Sequence, residues 1–164
     1  MFDALSIPIF SKYASLAGFE NEPDVIEEYF FLASKVLKFC PMILFDGSDP
    51  SRLVRTIQGA IQVLSIAHKD SQRAALDFLE NLISVTVPTL LHRQPPPALL
   101  VATVSTLLPQ FAPVLIENIL QNIAGRIPIT ALLIERGSGS ISNVIWNLRA
   151  ASSTISPTVL QVCW

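Results

Sequence analysis

Between Pro23 and Ser84 the apolar positions recur at helical spacing in three runs, divided by proline, glycine and aspartate. In the first run Val25, Ile26, Tyr29, Phe30, Leu32, Ala33, Val36, Leu37 and Cys40 fall on one broad face, the signature of an amphipathic helix that buries a side. Pro23 suits its first position, where a missing N–H costs nothing. Asp24, Glu27 and Glu28 lie at its positive end, Lys35 and Lys38 at its negative end, and Cys40-Pro41 stops it. A second helix is expected from about Asp49-Pro50, with Leu53, Val54, Ile57, Ala60, Ile61 and Leu64 inward and Arg52, Arg55, Gln58 and Gln62 outward. A third starts with Asp70 as N-cap. Its stripe is Ala74, Ala75, Phe78, Leu79, Leu82 and Ile83, opposed by Arg73, Asp77, Glu80 and Asn81. Short linkers between such helices make antiparallel neighbours.

After Ser84 the pattern loosens. Residues 85–91 are β-branched and apolar, but Pro88 argues against a central strand, so this stretch reads as the frayed end of the third helix. The HRQPPP run that follows is a stiff spacer, or else a polyproline ligand. Two further helices are expected at residues 98–108 and 113–124. The second shows Val114, Leu115, Ile116, Ile119, Leu120 and Ile123, and Gly125 ends it. Then come a short apolar piece over residues 129–134 and a flexible turn over residues 137–140. Ser142 or Asn143 starts a helix with Ile145, Trp146 and Leu148, and a last helix opens at Pro157 and is expected to stop inside a repeat. Trp146, at helical spacing from Ile145 and Leu148, reads as core before it reads as a recognition residue.

Composition narrows the function classes. With 51% hydrophobic residues in 164, there is ample material for a core. A net charge of −2 and a pI near 5.6, with no Lys/Arg run, argue against direct nucleic-acid binding. Cys40 and Cys163 lie too far apart in sequence for a CxxC motif and are too few for a disulfide framework, which fits a reducing compartment. Asp3 follows Met1-Phe2 without a basic region, so no secretory signal is expected.

The mean hydropathy of +0.50 and the lack of charge between Arg93 and Glu117 raise a membrane span as a question. Pro95, Pro96, Pro97, Pro109 and Pro113, with Thr103, Ser105, Thr106 and Gln110, favour two short core helices over a span. Catalytic and metal constellations are missing from the sequence. His68 and His92 form no HExxH pair and read as surface or capping residues. Asp24, Glu27 and Glu28 are expected at a helix start from the macrodipole alone, and GSGS lacks the Lys-Ser/Thr of a phosphate loop. No catalytic, cofactor-binding or metal residue is assigned. An enzyme is not expected.

The wording of the first half carries more than its period. PDVIEEYFFLASKVLKFCPMIL and SRLVRTIQGAIQVLSIAHKDSQRAALDFLENLIS resemble the C-terminal third of the transportin-SR and importin-13 group of the importin-β (karyopherin) superfamily. Upstream, MFDALSIPIFSKYASLAGFENEPD is similar to the preceding helix and loop, including the break at Ile7, Pro8 and Phe10. The resemblance is good over residues 1–84 and loose over 115–164, where Ile145, Trp146, Pro157 and Thr158 follow the later family pattern. It implies an all-α fold, a right-handed, ARM-like superhelical stack of antiparallel HEAT-type hairpins. In such a fold a repeat buries its apolar faces only against its neighbours.

Residues 1–84 would be the well-matched helices, 85–97 a Pro-rich linker and 98–164 looser helices of a partial solenoid. The function implied is nuclear import: wrapping a cargo, with serine/arginine-rich proteins as one class, and shuttling between nucleus and cytoplasm. Ran GTPase and Phe-Gly nucleoporins would be partners of the full-length receptor. The family's Ran-engaging arch and arginine-rich cargo helix have no counterpart in this sequence, so no binding residue is carried over. The alternatives are a generic HEAT-like interaction scaffold and, more remotely, a membrane-associated helical protein built around residues 99–116.

Overall fold

The three periodic runs fold as helices in the computed structural model, which describes residues 20–44, 50–86 and 97–123. Helix α1 spans Pro23–Phe39, a 3-10 turn covers Pro41–Ile43, α2 spans Ser51–Val63, α3 spans Lys69–Ser84 and α4 spans Ala98–Ile123. Among the described residues there is no strand, so this part of the chain is all-α. The expectations for the Ile7-Pro8-Phe10 break, His92 and the HRQPPP run, residues 129–140, the Trp146 helix, the Pro157 turn and Cys163 lie outside the described residues.

Each helix end has a local cause. Pro23 is the first residue of α1, Asp24 is in its first turn and Lys38 in its last. The Cys40 N–H closes on Val36 O at 2.7 Å, and Pro41 ends the ladder. Past α2 the N–H groups of Leu64, Ser65 and Ile66 reach back three residues to Ile61, Gln62 and Val63, which satisfies the last carbonyls. Asp70, expected to cap α3, sits exposed in its first turn instead. The cap position belongs to His68, whose backbone is extended and whose Nδ1 lies 3.3 Å from the Ser71 N–H.

The core runs through all four helices. Ile26, Phe30 and Ala33 of α1, Leu53 and Ala60 of α2 and Ala74, Ala75 and Phe78 of α3 are fully buried. The Phe30 and Phe78 rings meet at 5.9 Å, and Tyr29 stands edge-on to Phe30 at 5.2 Å. Two of the residues expected in the α1 core, Val25 and Leu32, are exposed instead, as is Cys40. They lie on the far side of α1 from Phe30, where the broad apolar run is wider than the face α2 and α3 cover. Helix α3 departs the other way: Leu76, Ser71 and Gln72 are buried in addition to the expected stripe. It touches α1, α2 and α4. A helix with neighbours on several sides needs more than one stripe.

Residues 98–124 hold the largest departure. The two short helices expected there are one helix, α4, with Pro109 and Pro113 inside it. A proline in a helix interior costs about 3 kcal/mol through a lost hydrogen bond and a clash. Here both prolines sit on the exposed side, where the freed carbonyls of the preceding turn can meet water. The opposite side carries a buried run of Leu100, Val104 and Leu107 and another of Ala112, Leu115 and Ile119, joined by the partly buried Leu108 and Phe111. Burial of that stripe holds the two halves in line.

Helix directions follow from side-chain contacts. At the start of α1 and α3, Ser71 Oγ donates to the Pro23 carbonyl at 2.7 Å, and farther along Phe30 meets Phe78. Both pairs are separated by 48 residues, so α1 and α3 run side by side in the same direction. Helix α2 runs back beside this pair, packed chiefly on α3: Tyr29 reaches Thr56, and the Arg52 guanidinium donates to the Ile43 carbonyl of the turn that follows α1. Ser65 Oγ, just past the end of α2, donates to Asn118 Oδ1 in the last turns of α4 at 3.0 Å.

Candidate functional site

Three features could do more than hold the helices together. The first is the corner where α1 and α3 begin. Ser71 Oγ gives its one proton to the Pro23 carbonyl, and His68 Nδ1 lies 2.8 Å from the same oxygen. That hydroxyl can then only accept from His68, so the tie requires the proton on Nδ1. The 3.3 Å approach of the Ser71 N–H to Nδ1 is the cap made by the other tautomer. In both arrangements His68 is occupied with closing a helix start.

Glu27 stands at the same corner. Burial pushes its carboxyl above the ordinary range, Asp70, Glu28 and Asp24 add to the rise, and His68 opposes it. A carboxyl raised in the fold contributes stability at low pH that is lost as pH rises through its folded value. Glu27→Gln is therefore expected to melt higher than the native chain at pH 7, with the advantage gone below about pH 4. Thermal melts at the two pH values check it, and a lower melting temperature at pH 7 would show Glu27 to be favourably paired. No group of His, Cys, Asp and Glu that could hold a metal occurs among the described residues. Asp24 and Glu28 are exposed, in keeping with their reading as helix-start charges.

The second feature is an apolar groove between α2, α3 and α4. It encloses about 330 Å³ with its mouth included, and Ile57, Ile61, Leu79, Ile83, Val104 and Phe111 are among its walls. No polar group lines it. Ligand sites use a few placed polar groups to fix orientation, so this space is better suited to another apolar side chain than to a small polar molecule.

The third is an apolar row on the outside of α1. Val25, Leu32 and Phe39 are spaced by seven residues, and Phe39 is 72% exposed. Met42 and Ile43 extend the row beyond the helix. The signal for this row was present in the sequence as surplus width of the α1 face, but periodicity assigned all of it to one core. Helix α4 has a related surplus: from Ala98 to Gln121 it is long and apolar enough to cross a membrane, although its inner stripe packs against α2 and α3.

The buried polar groups are structural ties that the sequence pattern did not reveal. Gln72 Nε2 donates to the carbonyls of Leu64 at 3.1 Å and Ile66 at 2.6 Å, bracing the α2–α3 turn. Thr56 Oγ1 donates to Arg52 O at 2.9 Å, which makes Tyr29 the donor in the 3.2 Å contact between their hydroxyls. No protein-family model matches this chain, and no solved structure matches it.

Proposed function

We propose that this chain is a segment of a HEAT-type α-solenoid of the importin-β superfamily, in the transportin-SR and importin-13 group. Its role is non-catalytic: it belongs to the cargo-binding scaffold that carries proteins into the nucleus. The observation that carries the reading is the parallel course of α1 and α3, packed side by side, with α2 running back against α3. Successive helical hairpins in a solenoid repeat that arrangement, each burying its faces against the next. The outward row of Val25, Leu32 and Phe39 supports the same reading, because a member of a stack needs apolar surface on the side away from its neighbour α3. The resemblance of residues 1–84 to the C-terminal third of these receptors supplies the transport function, the shuttling between nucleus and cytoplasm, and the cargo class.

Ran and the Phe-Gly nucleoporins are partners of the whole receptor in this reading. The immobilised chain is therefore expected to leave Ran in solution, whether loaded with GTP or GDP. Retention of GTP-loaded Ran would contradict this division of roles.

A further inference from the structure

We draw no further inference here: the strongest candidate, the exposed apolar row of Val25, Leu32 and Phe39 on the side of α1 turned away from α3, carries none because nothing in the structure shows what covers it.

Discussion

Phe30→Ala is expected to destabilise the fold by about 3–5 kcal/mol, the range for removing a fully buried aromatic ring from a close-packed core. Phe30 has no exposed surface and contacts both Tyr29 and Phe78, so the cavity would open at the junction of α1 and α3. Loss of the paired ring contacts adds to the transfer cost. Arg55→Ala, on the exposed side of α2, should stay within about 0.5 kcal/mol. Urea unfolding of the two variants beside the native chain reads the difference directly. Equal midpoints would mean that α1 and α3 do not share this core.

Gln72→Leu is expected to cost about 2–4 kcal/mol even though leucine matches the apolar surroundings. The Gln72 side chain is 2% exposed, and its amide serves two carbonyls at the turn between α2 and α3. Leucine keeps the volume and withdraws both donors, so each carbonyl loses a partner inside the protein. The exposed Gln62, on the outside of α2, provides the control: Gln62→Leu should change stability by no more than about 0.5 kcal/mol. Denaturant midpoints again decide. A neutral Gln72→Leu would show that the turn is held by its own backbone bonds and not by this side chain.

The positions of α1, α2 and α3 were legible because apolar spacing and a proline or aspartate break marked the same boundaries within a residue or two, with end charges agreeing as well at α1. Asp70 misled because an aspartate near a helix start serves equally well as a cap or as a first-turn charge. His68, read from the sequence as a surface or capping residue, takes the cap through the nearby Ser71 N–H; the tie of Ser71 to Pro23, 48 residues apart, is what no local pattern contains. The continuity of α4 was hidden for a related reason. Pro109 and Pro113 are strong local breakers, and what outweighs them is a buried stripe whose partners lie on α2 and α3.

Burial was harder to read than helix position. A single stripe describes a helix with one neighbour, whereas α3 has three, which is why Leu76 and Gln72 went unnoticed as interior residues. The reverse error fell on Val25 and Leu32, apolar residues whose partners are not on α2 or α3. A candidate site of the catalytic kind was never legible. Of the polar residues buried among the described ones, Ser71 and Gln72 close a helix start and a turn and Thr56 joins α2 to α1, and the candidate surfaces described are apolar and lack a local motif. Function was therefore readable only through the resemblance of long stretches, as an expectation about transport.

The account rests most on α1 and α3 running in the same direction, as successive hairpins of a stack must. Spin-label distances test that with four exposed positions: Asp24 and Lys38 at the two ends of α1, and Asp70 and Asn81 at the two ends of α3. With Cys40 and Cys163 replaced by serine, cysteine pairs at these positions can be labelled and measured by double electron–electron resonance. The Asp24–Asp70 and Lys38–Asn81 pairs should give short distances, and the crossed pairs Asp24–Asn81 and Lys38–Asp70 longer ones, each helix end being separated by about 1.5 Å per intervening residue. Short crossed pairs with long uncrossed ones would mean that α1 and α3 are antiparallel, and the stacked-hairpin reading would fall with them.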